Sequence, residues 1–362
     1  MTERGLVDWG LAERIAAAVG GDAGGAARSA RVDETAVREA IAEISAPVRG
    51  YTSLESREVV PEAEALERAD WSRLGLGTLR EVAAELEREL AGRIGLSGPL
   101  GGLARVAAAA AAAAEAGVAV GYASRRVLGQ YDVSLGPTSR PPRLVFVAPN
   151  IAAVASELKV PQNLFLRWIA MHELTHALQF GSVEWLLPHI RQQVRQLTGA
   201  ASARLEPQSL SHLGMRLLRE PRAAVRALLR GDLPRLIAGP EQAEVIDRLQ
   251  ATMAVIEGYA EHVMDAVGAT LDPGYRRLRA QLDRRRHSHG LADVIARLLG
   301  LELKLRQYRV GKEFCDDVVA AEGLEALNAV WESPEMLPTL AELEDPRAWS
   351  RRTQALLAEP TS

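Results

Sequence analysis

The sequence predicts a mainly α-helical fold with a small β-hairpin or sheet just before one central helix. Apolar residues recur with the spacing of helices along most of the 362 residues. Only the stretch 129–147 combines β-branched and aromatic residues with flanking prolines, as strands do. The pentad His172-Glu173-Leu174-Thr175-His176 follows it in a segment with helical periodicity. The fold class is therefore set by one long helical pattern with a single β interruption.

Helices dominate the first part of the chain. We predict them over 8–19, 32–44, 61–73, 78–94 and, in the alanine-rich stretch, 103–120. Asp8 and Asp33 stand where N-cap residues are expected. Residues 1–120 are predicted to form an N-terminal helical region and 121–362 a metal-binding region, with one continuous domain over 1–362 as the alternative.

The β signal lies in two short segments. Residues 129–134 and 144–147 are predicted to be strands, joined by a loop that is rich in glycine and proline. The edge of such a sheet can pair with an extended substrate backbone. A hairpin that only covers the core explains the same pattern.

The helix with the pentad is predicted to begin near Pro161, a favoured first-turn residue, and to end at Phe180 with Gly181 after it. Further helices are predicted over 183–197, 208–218, 221–229, 240–268 and 290–306. The proline-containing segment 333–346 is expected to wrap the surface.

Composition excludes several classes of protein. The net charge is −4 and no long basic block exists, so we expect no nucleic-acid partner. The alanine-rich stretch contains Arg105 and Glu115, which favours a helix in water over a membrane span. Cys315 is the only cysteine, so no disulfide can form within the chain, and we expect a buried, inert thiol. No signal-peptide pattern opens the sequence, and a cytoplasmic location is predicted.

The pentad has the HExxH spacing of zinc hydrolases. Residues i and i+4 lie one above the other on a helix, so His172 and His176 can bind one Zn²⁺, and Glu173 can act as the base. A catalytic zinc needs a third protein ligand. The pattern HExxHxxGxxH fails because Gln179 and Ser182 occupy the last two positions.

A glutamate on a later helix is the other common third ligand, and Glu257 is our candidate. Its neighbours are apolar, and a buried carboxylate without a cation is costly. Gly258 would permit close approach of two helices. Glu261, one turn later, could accept the free imidazole N–H of a zinc-bound histidine, and Asp265 could serve instead.

An oxyanion donor is usually required beside a catalytic zinc. The candidates are Tyr259, Tyr308, His287 and His289. Tyr308 is the tyrosine we assign as a catalytic candidate, with a structural tyrosine as the alternative. His262 is a weaker candidate for a ligand, because it points about 100° away from Glu261 on a helical wheel.

Several segments together resemble the zincin-like metallopeptidase type 2 family. Its members are hydrolases found largely in actinobacteria, and some are named for an association with biosynthesis of a deazaflavin coenzyme. The resemblance implies a mostly helical zincin-type fold with one Zn²⁺, His172, His176 and Glu257 as ligands, and Glu173 as catalytic base. The matching segments are 7–9, 124–132, 147–151, 168–180, 185–186, 257–265 and 307–311.

The predicted function is a zinc-dependent hydrolase, a metallopeptidase that cleaves peptide bonds through a zinc-activated water. A non-catalytic scaffold stabilised by zinc and a zinc hydrolase of small amides are the alternatives. The expected partner is a peptide or amide substrate, with no membrane and no nucleic acid.

Overall fold

A computed structural model describes residues 6–21, 32–56, 60–90, 99–136, 140–204, 240–286 and 306–358. The longer helices are α1 (Trp9–Gly20), α2 (Glu34–Thr52), α3 (Arg68–Leu90), α4 (Pro99–Ser124), α5 (Ala148–Leu158), α6 (Gln162–Ser182), α7 (Leu186–Arg204), α8 (Pro240–Leu271), α9 (Tyr275–Arg286) and α10 (Arg306–Glu322). The chain continues through α11 (Leu324–Asn328), 3₁₀ turns at Ala329–Trp331 and Pro334–Met336, α12 (Leu340–Glu344) and α13 (Pro346–Ala358). The mainly helical prediction is confirmed.

Some predicted elements lie outside the described residues. These are the helices over 208–218 and 221–229, and nearly all of the helix over 290–306.

Three short strands form one mixed sheet in the order β1-β3-β2, with β1 at Ala63–Leu66, β2 at Gly129–Asp132 and β3 at Arg143–Val147. Strands β2 and β3 pair antiparallel, as the sequence predicted.

Strand β1 corrects the helix predicted over 61–73, because a helix starts only at Arg68. The segment pairs in parallel with β3, and Arg143 holds Glu64 through two contacts of 2.8 and 2.6 Å. Pairing with a distant strand outweighs the helix propensity of Ala63 and Leu66.

The first two helices begin as predicted. Asp8 accepts the N–H of Leu11 at 3.0 Å, and Asp33 accepts that of Ala36 at 2.8 Å. Each carboxylate satisfies one of the free donors of a first helical turn. Helix α2 continues to Thr52, beyond the predicted end at residue 44, because Val48 and Thr52 extend its buried face.

Helix α6 begins directly after Pro161 but ends at Ser182 rather than at Phe180. Gly181 is therefore not the residue that terminates the helix. A Cβ there would lie 2.3 Å from Oγ of Ser56, so this glycine permits a close contact with the segment after α2.

One large apolar core joins both predicted regions. It contains Val37 of α2 and Leu178 of α6 as well as Trp349 near the C-terminus. The predicted boundary at 120/121 falls inside α4. Whether the chain forms two regions or one continuous domain stays a prediction. The segment 333–346 is not confined to the surface, because Met336 and Leu343 are buried in the same core.

Helix α4 packs closely against α1. A Cβ at Gly117 would lie 2.6 Å from the carbonyl oxygen of Ala12, and one at Gly121 would lie 2.7 Å from that of Ala16. Within the described residues, Val106–Ser124 is the one helical stretch whose length and composition would suit a membrane span, with a mean hydropathy of 1.5. Its buried face contributes Ala113, Val120 and Ala123 to a second, smaller core.

Helices α8 and α10 meet at a glycine pair. A Cβ at Gly258 would lie 2.3 Å from the carbonyl carbon of Gly311, and a Cβ at Gly311 would lie 2.0 Å from the carbonyl oxygen of Ala254. Close approach at Gly258 was expected from the sequence. The crossing fixes the middle of α8, the part of the helix that carries Glu257.

We expect Gly258→Ala to lower the free energy of unfolding by about 3 kcal/mol, because backbone must move to admit the methyl group. Gly77→Ala is the matched control. A Cβ at Gly77, on the exposed face of α3, meets nothing within 4 Å, so this variant should gain up to about 1 kcal/mol. Urea unfolding measures both, and equal stability of the two variants would contradict the packing.

Candidate metal centre

Helix α6 brings the two histidines of the pentad together. The Nε2 atoms of His172 and His176 lie 3.0 Å apart, and the rings meet edge to face. His176 is buried and His172 is partly exposed. Their i, i+4 spacing on a straight helix places both nitrogens on one face, as the sequence predicted.

Helix α8 brings Glu257 to the same point. Its Oε2 lies 3.3 Å from Nε2 of His172 and 3.7 Å from Nε2 of His176. Ligand atoms about 2.0–2.1 Å from a tetrahedral zinc are about 3.3 Å from each other. The three separations bracket that value, so the donor set fits one such ion.

Gln179 orients His176. Its Oε1 lies 2.8 Å from Nδ1 of His176, and its Nε2 donates to the carbonyl oxygen of Ile256 at 3.0 Å. Because the amide nitrogen serves the carbonyl, the amide oxygen must face the ring and accept its Nδ1–H. The lone pair of His176 is then on Nε2, where a metal would bind. The same amide joins α6 to the residue before Glu257.

The ring of His172 has a weaker hydrogen-bond partner than the ring of His176. Nδ1 of His172 lies 3.3 Å from the thioether sulfur of Met264, which lies on α8 and is buried. A thioether is only a weak acceptor, so this contact restrains the ring less than Gln179 restrains His176.

Charge stabilises the cluster in the absence of a cation. Burial would lower the pKa of His176, but the Glu257 carboxylate outweighs it and raises that pKa to about 9. Burial would likewise raise the pKa of Glu257, yet the two histidines hold it well below its usual range. Each of these two side chains therefore favours the charged form of the other.

The side chain of Glu173 contacts strand β2 of the sheet. Its Oε2 accepts the backbone N–H of Tyr131 in β2 at 2.8 Å. A Cβ at Gly129 would lie 2.7 Å from Cγ of Glu173 and 2.8 Å from its Oε1. The side chain is buried, and burial raises the pKa of its carboxyl group. Burial thus makes Glu173 a stronger proton acceptor than an exposed carboxylate.

Glu261 and Asp265 do not contact the histidine nitrogens in the way expected. Glu261 pairs with Arg279 at 2.8 Å, and Asp265 pairs with Lys312 at 3.0 Å and with Arg279 at 3.6 Å. The Nδ1 atoms of the two histidines face Gln179 and Met264 instead. The cations on α9 and α10 draw both carboxylates toward those helices.

His262 also lies away from the cluster. Its Nε2 is 2.7 Å from the hydroxyl of Tyr51, and its Nδ1 is 2.7 Å from Oδ1 of Asp316. The described His, Cys, Asp and Glu residues form one group able to hold a metal, made of the three predicted ligands. No fourth protein ligand from the described residues fills the remaining position.

The four candidates for the oxyanion donor differ in what the structure describes of them. Tyr259 is buried, and its hydroxyl donates to Oδ1 of Asn328 at 2.8 Å, so that proton is already used. Tyr308 lies in the first turn of α10, but its side chain lies outside the described part. His287 and His289 lie outside the described residues as well.

The fold and the donor set define a mainly helical protein of the HExxH type, with a third candidate metal ligand on a second helix. The chain belongs to the zincin-like metallopeptidase family, whose sequence model matches residues 7–350. A crystal structure of a presumed hydrolase with a novel fold from Chloroflexus aurantiacus is similar to this chain. The identity is 28% and the TM-score 0.66, over 96% of this chain and 99% of that chain. A comparison with curated proteins found no match.

Sequence reasoning missed Gln179, Gly129 and the backbone of Tyr131. Gln179 stands three residues after His176, on the same helical face, so its contact was available as a local signal. The contacts of Glu173 with β2 depend on how the hairpin docks on α6, and no local pattern carries that information.

We expect Gln179→Leu to weaken zinc binding by about 10–100-fold, because His176 loses its orienting partner. Competition with a chromophoric chelator measures the affinity. Gln193→Leu is the matched control. Gln193 is buried on α7 and contacts His189 at 2.9 Å. Equal affinities in the two variants would show that Gln179 does not act on the site.

Zinc affinity should rise with pH in the neutral range. In the metal-free protein the pKa of His176 is raised to about 9, so its imidazole carries a proton at neutral pH. Zinc must displace this proton in order to bind. The apparent affinity should therefore increase by about tenfold per pH unit between pH 7 and 8 and level off above about 9. Titration in the same chelator at several pH values tests this, and a flat profile would contradict it.

Proposed function

We propose that this protein is a zinc-dependent hydrolase, and specifically a metallopeptidase. The observation that carries the proposal is the convergence of two imidazole nitrogens and one carboxylate oxygen at 3.0–3.7 Å from one another, with Glu173 next to His172 on the same helix. Membership of the zincin-like metallopeptidase family and the presumed hydrolase of similar structure support the same chemistry.

Each residue has a distinct role in the proposed reaction. His172, His176 and Glu257 would hold the zinc ion, and Gln179 would keep the Nε2 lone pair of His176 directed at it. Zinc, when bound, supplies Lewis acidity that polarises a carbonyl and eases deprotonation of water. Glu173 takes the proton of the attacking water on its carboxylate and passes it to the leaving nitrogen. Tyr308 remains our candidate donor to the developing oxyanion.

A purely structural zinc site is the less favoured alternative. Structural sites are closed by four protein ligands. Among the described residues only three candidate ligands converge, and His262 is engaged by Tyr51 and Asp316. An open position of this kind supports catalysis.

A hydrolase of small amides is favoured by one specific observation. An extended peptide that adds to the edge of β2 would need the outward N–H of Tyr131, and this donor is bound to Glu173. A compact amide needs no such pairing. Assays must therefore include small amides beside peptides.

The proposed location is the cytoplasm. Cys315 is free and buried, as predicted, so the described fold uses no disulfide that a reducing compartment would break. We propose a peptide or amide as the partner, without a nucleic acid or membrane.

The decisive experiment combines metal analysis with a hydrolysis assay on a peptide library and a panel of small chromogenic amides. Wild type should hold one zinc ion per chain and cleave at least one substrate. Glu173→Gln should keep the zinc and lose at least about 100-fold in kcat, because the amide cannot take up the proton.

Glu39→Gln, on the exposed face of α2, is the matched control and should cleave like wild type. Protein without zinc would contradict the proposal. So would a Glu173→Gln variant that hydrolyses as fast as wild type.

A further inference from the structure

We propose that the edge strand β2 positions the base: the Tyr131 N–H holds the Glu173 carboxylate, and Gly129 leaves the space in which that carboxylate lies. The inference rests on the proposed function, since positioning has a purpose only if Glu173 accepts a proton. Gly129 and Tyr131 are positioning residues in this account and do not touch the substrate.

The pairing of β2 explains why its backbone faces Glu173. In a strand, successive residues direct their N–H and C=O groups to opposite edges. The carbonyl of Leu128 accepts the N–H of Val147 at 2.8 Å, so residue 128 faces β3. Gln130 and Asp132, opposite Val145 and Arg143, face β3 as well. Gly129 and Tyr131 must then face outward, toward α6.

The backbone at the outward edge of β2 closely contacts the side chain of Glu173. The 2.8 Å contact from the Tyr131 N–H to Oε2 is a charge-assisted hydrogen bond when Glu173 is ionised. On the same edge, any Cβ at residue 129 would stand 2.7–3.0 Å from Cγ, Oε1 and Cδ of Glu173. The backbone of Gly129 does not have a positive φ, so its conformation does not require glycine. Glycine is required at position 129 because the Glu173 side chain occupies the space that a Cβ would need.

Two contacts from one strand therefore restrain Glu173. The hydrogen bond restrains the orientation of the carboxylate, and the absence of a side chain at Gly129 leaves the space that it occupies. Because the strand is itself paired with β3, this restraint does not depend on a substrate. A base held in place in this way loses little conformational freedom when the reaction begins.

Hydrogen exchange of single amides tests the contact without relying on activity. The full-length protein is used as purified, with its zinc content measured, and amides are followed by NMR. Gly129→Ala and Glu173→Ala should each speed exchange of the Tyr131 amide by at least about tenfold, because the first displaces its acceptor and the second deletes it. The amides of Gln130 and Asp132 should stay as protected as in wild type, because their partners are on β3.

The rate assay supplies the second readout. Gly129→Ala should lower kcat by about tenfold or more while KM and zinc content stay within about twofold of wild type, because only the base moves. Gly77→Ala is the control for a methyl group added at an exposed glycine. Unchanged Tyr131 exchange in Gly129→Ala, or faster exchange of all three β2 amides, would overturn the proposal.

Glu173→Asp keeps the test decisive if Gly129→Ala does not fold. It shortens the side chain by one methylene without any clash, so Tyr131 exchange should speed up and kcat should fall. Full activity together with an unprotected Tyr131 amide would show that positioning is not needed. If wild type cleaves nothing, the proposed function fails, whereas the exchange result still decides whether β2 holds Glu173.

Discussion

The carboxylate of Glu257 facing two imidazoles across the α6–α8 interface is the interaction on which the site depends. A charge in such a position is costly unless an opposite charge lies beside it. The Glu257 carboxylate raises the pKa of His176, and an imidazolium beside the carboxylate is one opposite charge that meets this demand. The same demand explains why the donor set can receive a divalent cation. Everything that fixes α8 against α6 therefore acts on the geometry of this donor set.

Two sets of contacts, on opposite sides of α8, fix the position of Glu257 relative to the histidines. Gln179 ties His176 to the Ile256 carbonyl, which belongs to the residue before Glu257. On another face, Gly258 and Gly311 let the backbone of α10 lie directly against α8. The Gln179 contact consists of hydrogen bonds that a single substitution can remove. The glycine contact depends on the absence of side chains, so any substitution at Gly258 or Gly311 would disturb it. Together they leave Glu257 little freedom to withdraw from the histidines.

Local patterns were enough to predict the helical class, the two aspartate caps and the histidine pair, because each depends on residues within one helical turn. Glu257 was predicted by chemistry, from the need for a third ligand and the apolar residues around it. Strand β1 was missed because its residues favour helix and only the distant β3 makes them a strand. Glu261 and Asp265 were assigned to the histidines because their cationic partners, Arg279 and Lys312, lie on helices whose docking no local pattern reveals.

The alternation of β2 has a consequence for how related sequences can vary. Shifting the strand by one residue against β3 would exchange its inward and outward groups. Tyr131 would then turn its N–H toward β3, and the residue brought opposite Glu173 would carry a side chain where Gly129 has none. An insertion or deletion of one residue between Leu128 and Asp132 would thus remove both contacts of β2 with Glu173. It would leave His172, His176 and Glu257 unchanged.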